Sequence, residues 1–319
     1  METLDVRSDF RQFAVCRTIQ NFCAATFRLG GGWLGKPEPQ MWNRPIHNAM
    51  PRMFHSVTIQ RTKMQKHRKD WFENDVIWRE TYSYMFPESR FASTAESMDD
   101  VLKLTEIHGG SVLDLCCGPG RCSLAMAKRG FQVTGVDRTR FLLNKAKAFS
   151  RSAHIQIEWI QEDMRKFERA NSFDLALSMY TSFGYFENRD EDKMVLDNVF
   201  RSLRSGGAFV MELMGKEVLA RIFQPSSAET LPDGSMIVEQ RKIVEDWNRV
   251  VNEWTIVRKG QVRKFSFHLN LYSGQELSAA LRRAGFIDVN LYGDLKGAPY
   301  GPKANRLIAV GRKTGAKRK

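Results

Sequence analysis

Three carboxylates and a pair of glycines are the residues of this chain best spaced to do chemistry. Val112-Leu113-Asp114-Leu115-Cys116-Cys117-Gly118-Pro119-Gly120-Arg121 combines an acid, two thiols and two glycines in one run. Gly118 and Gly120 allow the backbone to turn tightly and let a ligand approach the main chain closely. Asp114, just before them, can orient an amino-acid ammonium or a sulfonium through bound water or backbone. Asp137 stands 17 residues after Gly120, in Val133-Thr134-Gly135-Val136-Asp137. A carboxylate there can accept hydrogen bonds from both hydroxyls of a ribose. Asp163, in Gln161-Glu162-Asp163-Met164, can bond an adenine amino group while Met164 covers the ring. The dinucleotide fingerprint asks for a third glycine where Ser123 stands. A nucleoside bearing an amine and a sulfonium therefore suits the set better than a pyrophosphate. Cys116, Cys117 and Cys122 also suggest a metal site or redox pair. No second Cys/His cluster supports that, and small buried residues under a nucleotide loop are the simpler account.

Such a site needs strands to carry its acids and helices to follow its turns. Trp71, Val76, Trp78, Tyr82 and Met85 predict an aromatic-rich helix ending at Pro87, and Ser97–Ile107 a second helix. Strand and helix then alternate: Ser111–Leu115, Ser123–Arg129, Gln132–Val136, Phe141–Phe149, Gln156–Gln161, Asp174–Met179, Asp190–Leu203 and Phe209–Leu213. That rhythm predicts an α/β protein with a parallel sheet covered on both faces. Asp114, Asp137 and Asp163 fall at the carboxyl ends of three successive strands and so converge on one crevice. After Leu213 the rhythm breaks. Met236–Asp246, Arg249–Arg258 and Val262–Leu271 predict a three-stranded antiparallel meander inserted at about 235–271. Ser273 with Glu276 reads as a capping box for a helix to about Arg283, and Phe286–Tyr292 and Arg306–Gly311 supply the last strands.

On these motifs the chain resembles the class I S-adenosylmethionine-dependent methyltransferases, and within them a broad bacterial group of stand-alone methyltransferase-domain proteins. The resemblance covers about Trp71 to Arg312. It rests on Leu113-Asp114-Leu115-Cys116-Cys117-Gly118-Pro119-Gly120, Val136-Asp137, Glu162-Asp163-Met164-Arg165, Phe173-Asp174 with Thr181-Ser182-Phe183-Gly184-Tyr185-Phe186, and Leu203–Gly207. It implies a Rossmann-like fold, a seven-stranded mostly parallel sheet with its last strand antiparallel. It also implies S-adenosylmethionine as cofactor, with Asp137 on the ribose and Asp163 at the adenine end. The expected cofactor contacts are Asp114, Cys116, Cys117, Gly118, Gly120, Asp137, Arg138, Asp163, Met164 and Tyr180. Cys116 is a departure, since many relatives place a glycine there; cysteine is small enough that no loss of binding is expected.

Methyl transfer from a sulfonium is an in-line displacement, so alignment of the nucleophile matters most; orientation alone is worth about 7–11 kcal/mol in well-held systems. Its natural place is Ser178-Met179-Tyr180-Thr181-Ser182-Phe183-Gly184-Tyr185-Phe186, at the end of the fourth strand. This segment lacks the Asn/Asp-Pro-Pro-aromatic turn common among methyltransferases of base or glutamine amino groups. Tyr180, Ser182 and Tyr185 could line an acceptor pocket; equally, Phe183 and Phe186 could be core and the hydroxyls cap the turn. Arg79, Tyr82 and Tyr300 complete the acceptor-side candidates, drawn from the aromatic helix and the loop Gly293–Tyr300, which with the meander would form a lid. Tyr180, Glu212 and His268 are candidate catalytic groups, the last two as general bases, with structural roles as the alternative. No His/Asp cluster suggests a catalytic metal, so metal-free chemistry is expected.

The whole composition frames this. The 319 residues can bury one large domain with extensions. Hydrophobic residues make up 42% and charged residues 27%, as in an ordinary globular protein. No apolar run reaches the roughly eighteen residues of a membrane span, so a soluble protein without membrane contact is expected. Five cysteines (Cys16, Cys23, Cys116, Cys117, Cys122) are not a secreted disulfide framework and fit a reducing cytoplasm. The net charge of +13 sits mainly in the ends: residues 1–64 hold nine Lys/Arg against four Asp/Glu, and 312–319 five bases and no acid. Residues 1–64, with Gly30-Gly31-Gly32 and prolines 37, 39, 45 and 51, read as a poorly ordered basic extension with a short helix around Phe10–Phe27. Arg7, Arg11, Arg17 and Arg28 are spaced like a weak transit peptide, but Glu2, Asp5 and Asp9 oppose that, and Met53 or Met64 could be the true start. Residues 65–313 are read as the methyltransferase domain and 314–319 as a basic tail. The leading expectation is O- or N-methylation of a small molecule. The alternatives are a methyltransferase of RNA or protein using the basic ends, and a non-catalytic S-adenosylmethionine-binding protein.

Overall fold

The chain alternates short apolar segments with amphipathic ones, and a computed structural model, which describes residues 70–314, turns these into two sheets. The expected extension 1–64, its helix around Phe10–Phe27 and residues 315–319 of the basic tail lie outside the described residues. A 3₁₀ turn (η1, Trp71–Glu73) leads into α1 (Asp75–Met85) and α2 (Glu88–Thr105). Then follow β1 (Ser111–Leu115), α3 (Arg121–Ala127), β2 (Gln132–Asp137), α4 (Arg140–Ser152), β3 (Glu158–Gln161), β4 (Phe173–Ser178), α5 (Arg189–Ser202) and β5 (Leu203–Leu213). After α6 (Lys216–Ile222) come β6 (Ser226–Thr230), β7 (Met236–Val244), β8 (Arg249–Arg258) and β9 (Gln261–Asn270). Helix α7 (Gly274–Arg283), β10 (Ile287–Tyr292) and β11 (Leu307–Arg312) close the fold.

The larger sheet runs β10-β11-β5-β4-β1-β2-β3. Strands β1 to β5 pair in parallel, and β11 is antiparallel to both β5 and β10. Chain order reverses at β1, which has β4 on one side and β2 on the other. In open α/β sheets that reversal leaves a crevice at the carboxyl ends of the strands, where ligands bind. Successive strand residues point to opposite faces. Leu113, Leu115, Phe173 and Phe209 accordingly meet Leu277, Leu281 and Phe286 on one face. Val112, Leu175, Val210 and Ile308 meet Met98, Val101 and Met126 on the other. Both faces are covered, which is why these strands read as continuous apolar runs.

The second sheet has four antiparallel strands in the order β6-β7-β8-β9, not the expected three. Strand β6, Ser226-Ser227-Ala228-Glu229-Thr230, has no apolar alternation and pairs through its backbone with β7. Helix α2 starts at Glu88, nine residues before the expected Ser97. Its first turns are largely exposed, so apolar periodicity could not mark them; Pro87 at the N-cap does. Leu231, Ile237 and Ile256 form a small core under the second sheet, with Tyr84 of α1 packed on it. Tyr84 also donates to Glu239 at 3.0 Å and meets Trp254 edge to face. Helix α1 thus ties the second sheet to the mouth of the crevice. Among the described residues no helix is long and apolar enough to cross a membrane.

Candidate functional site

The turn after β1 is pinned by its own main chain. Cys116 and Gly118 both take positive φ, 57° and 55°. The Cys117 amide donates to the Val136 carbonyl at 3.0 Å, and the Gly118 amide donates to Asp137 Oδ2 at 2.8 Å. Gly120 (φ 84°) caps α3 where a Cβ would lie 2.6 Å from the Trp159 ring, so the turn closes against β3 as only glycine permits. Asp137 Oδ1 accepts the Thr139 amide at 2.7 Å. Each Asp137 oxygen therefore holds one backbone N–H, and the carboxylate, which the Thr139 side chain also bonds, has acceptor capacity beyond these three. Asp114 Oδ2 accepts the hydroxyl of Ser123 at 2.6 Å. Ser123 thus fixes the acid before the glycines.

Burial dominates the electrostatics of this end. It pushes Asp114 up to about 6 against the pull of the Ser123 hydrogen bonds. Asp137 is also raised by burial, opposed by the Thr139 and Gly118 amides. The thiols of Cys116, Cys117 and Cys122 are raised by burial, and the acids around them add to it. These thiols stay protonated and behave as small packing groups. Asp163 differs. Burial pushes its carboxyl up, but the hydrogen bonds and charge of Arg165, with Arg138, carry it below the usual carboxylate value. Arg165 Nη2 lies 2.6 Å and Arg138 Nη1 2.9 Å from Asp163 Oδ2, and Arg165 also donates to Oδ1. The same arginines reach Asp70, Glu191 and Glu73. An ion-pair chain so links η1 to the end of β3.

A cavity of about 200 Å³ opens over this turn. Asp114, Cys116, Cys117, Gly118, Asp137, Arg138, Asp163, Met164, Tyr180, Ser182 and Tyr185, all candidates from the sequence, line it. Its apolar wall includes Trp71, Phe72, Trp78, Phe86 and Phe186. Trp71 stacks edge to face on Tyr185 and tilted on Phe267, and its Nε1 is buried with no partner. Phe183 and Phe186 are core, 1% and 3% exposed. The Ser182 hydroxyl donates to the Met179 carbonyl at 2.7 Å and so caps the turn. Tyr180 and Thr181 hold positive φ at the end of β4, with Glu212 beneath them. Glu212 accepts the Tyr180 amide at 3.4 Å through its side chain and the Thr181 amide at 3.0 Å through its carbonyl.

Several candidates do not reach the cavity wall. Gly120 faces β3 instead. Arg79 lies over the Phe141 ring, and Tyr82 stacks on Phe86 and Phe141, because aromatic packing on α4 captures that face of α1. Tyr300 donates to Glu217 at 2.7 Å. His268 faces Glu187 at 3.4 Å on the second sheet. Glu212 supports the β4 turn and pairs with Arg306 at 3.3 Å. Phe72, Phe86, Arg90, Arg121, Glu162 and Thr181 line the cavity without having been singled out. Pro87 and the Gly118-Pro119-Gly120 turn sit beside Phe86, Arg90 and Arg121 and are the available signals for those three.

S-adenosylmethionine, the group the resemblance implies, fits this donor set. Asp137 has acceptor capacity left for hydroxyls, Asp114 is a buried acid suited to a cationic group, and Met164, Val136 and Leu142 offer apolar cover. Among the described residues no three His, Cys, Asp or Glu gather as a metal-ligand set.

Comparison with known proteins places this geometry in context. Residues 112–207 match the model of a methyltransferase domain. A protein of Geobacillus sp. (strain WCH70), which carries a methyltransferase name without a stated acceptor, is 24% identical over 76% of this chain and 99% of its own length. The dTDP-3-amino-3,4,6-trideoxy-alpha-D-glucopyranose N,N-dimethyltransferase of Streptomyces venezuelae is 26% identical over 61% of this chain and 83% of its own. Among solved structures, an S-adenosylmethionine-dependent methyltransferase from Clostridium acetobutylicum ATCC 824 superposes with a TM-score of 0.64 at 14% identity. It covers 76% of this chain and 100% of its own.

Proposed function

Since the chain carries a class I S-adenosylmethionine-dependent methyltransferase domain, we propose that it methylates an O or N atom of a small-molecule acceptor without a metal ion. The observation that carries this reading is the cavity wall. Trp71, Trp78, Tyr180 and Tyr185 line the same 200 Å³ space as Gly118 and Asp137, which suits a compact acceptor brought up to the cofactor. The Streptomyces venezuelae relative, named for an amino-sugar nucleotide, supports the same class. When bound, the cofactor supplies a methyl group on a sulfonium sulfur. In this reading Asp137 accepts from the ribose hydroxyls, and Asp163 and Met164 hold the adenine end. Asp114 orients the amino-acid part through the Gly118 turn. Tyr180, Ser182 and Tyr185 form the acceptor side, and Glu212 holds the β4 turn that presents them. Three free thiols, Cys116, Cys117 and Cys122, suit a reducing setting such as the cytoplasm.

Labelled methyl transfer from S-adenosylmethionine to a panel of small amines, phenols and sugar nucleotides, run beside total RNA and protein, tests this. Transfer to a small molecule is expected; label entering RNA or protein alone would overturn it. Calorimetry with S-adenosylhomocysteine checks the cofactor roles. Asp137→Ala, which removes a buried charged acceptor worth about 1.5–3 kcal/mol, should weaken binding roughly ten- to a hundredfold.

A further inference from the structure

The β4 side of the cavity holds two arginines that no acid of the described residues meets at ion-pair distance. Arg121 is 8% exposed, and Arg90, in the exposed first turn of α2, lines the same cavity. Among the described residues neither has a carboxylate at ion-pair distance, whereas Arg138 and Arg165 at the other end are fully paired. Both are held in place: Arg90 Nη1 donates to the Met85 carbonyl at 2.9 Å. Arg121 Nη1 donates to the Arg90 carbonyl at 3.4 Å, and its guanidinium lies 4.0 Å from the centroid of the Tyr180 ring. Thr94 donates to that same carbonyl at 2.6 Å and sits 3.3 Å from the Tyr180 hydroxyl. Burial, with Arg121 close by, pushes the Arg90 guanidinium down. The nearby Glu212 is engaged by Arg306. A buried guanidinium beside a second positive charge is costly to hold without a counterion. A guanidinium fork matches a carboxylate or phosphate bidentately.

The sheet order sets which ligand this charge serves. Tyr180 follows β4, on one side of β1, while Asp137 and Asp163 follow β2 and β3 on the other. We propose that the methyl acceptor carries an anionic group, a carboxylate or a phosphate, which Arg90 and Arg121 grip over the Tyr180 ring. The proposal rests on the methyl-transfer reading above and adds the chemical class of the acceptor.

The test is calorimetric titration of the protein saturated with S-adenosylhomocysteine, using inorganic pyrophosphate and malonate as probes. Saturable binding of at least one probe is expected. It should weaken roughly tenfold or more in Arg90→Gln and in Arg121→Gln, as loss of a charged hydrogen bond implies. Affinity for S-adenosylhomocysteine should hold, while Arg121→Lys should retain part of the probe binding. Absence of saturable probe binding to the loaded wild type would overturn the proposal. So would variants that lose S-adenosylhomocysteine but keep methylthioadenosine, which lacks the carboxylate; the arginines would then serve the cofactor. Should Arg121→Gln lose both nucleosides through misfolding, Arg90→Gln decides alone. Failure of the wild type to bind S-adenosylhomocysteine would sink the underlying reading instead, a separable outcome.

Discussion

At the residue scale, Asp114 holds a proton well above the pH at which a free carboxyl loses it. Its value rises from 3.8 to about 6 through burial. Between those values the folded chain binds a proton that the unfolded chain has released. Stability therefore falls as pH rises through this window, and above about pH 6 the full penalty, about 3 kcal/mol, persists. Asp114→Asn, which keeps an acceptor for Ser123, should gain up to about 2 kcal/mol at pH 8 and nothing at pH 4. Urea midpoints at the two pH values check this, and equal gains at both would contradict it. The same environment explains what could be read from residue types. Asp114, Gly118, Asp137, Asp163 and Met164 come together on the cavity wall because chain-local turns place them. Arg79 and Tyr82 pack on Phe141 and not on the cavity wall, because which face of α1 meets the cavity depends on a helix far along the chain.

At the element scale, caps and close approaches decide. The capping box read from Ser273 and Glu276 is present in full, the hydroxyl taking the Glu276 amide at 3.1 Å and the carboxylate the Ser273 amide at 2.8 Å. Ser273→Ala should cost about 1 kcal/mol in chemical denaturation. The two glycines of the β1 turn should respond unequally to alanine. At Gly120 a Cβ meets Trp159 at 2.6 Å and Ala146 at 3.1 Å, so Gly120→Ala should cost about 2–4 kcal/mol. At Gly118 the nearest atom is a Phe86 carbon at 3.6 Å, so Gly118→Ala should cost about 1–2 kcal/mol, from its φ alone. Thermal melts of both variants separate crowding from conformation. Apolar stretches were legible and polar ends were not: β1 and β8 coincide with their expected bounds, while α2 and β5 begin nine and six residues earlier than expected. Strand β6 was not, since a polar edge strand is specified by its neighbour's backbone and leaves no periodic trace.

At the scale of the whole molecule, the ion-pair chain through Arg165 joins parts distant in sequence. Arg165 reaches Asp70 at 3.2 Å, Asp163 at 2.6 Å and Glu191 at 2.7 Å, and its guanidinium lies over the Phe186 ring. Arg165→Met should destabilise by about 2–4 kcal/mol, because it leaves buried acid undercompensated. Amide hydrogen exchange should rise across residues 70–85, where η1 loses its tether; unchanged exchange there would contradict the linkage. In the sequence Arg165 stands out only as the last residue of Glu162-Asp163-Met164-Arg165. Ion pairs across 95 residues, like the approach of Arg90 to Arg121, arise from packing and have no local signature.

The position of the second sheet within the chain has a consequence in time. Strand β5 ends at Leu213, but its neighbour β11 begins at Leu307. A ribosome adding about 5–20 residues per second takes roughly 5–20 s to deliver that partner. Through that interval one side of β5, with the apolar Phe209, Val210 and Met211, has no strand beside it, and such bare edges seed misassembly. The insertion itself folds from hairpins between sequence neighbours, which form in microseconds. Yield in a cell should thus be sensitive to translation speed between codons 214 and 307, with slow codons there favouring aggregates over the finished sheet.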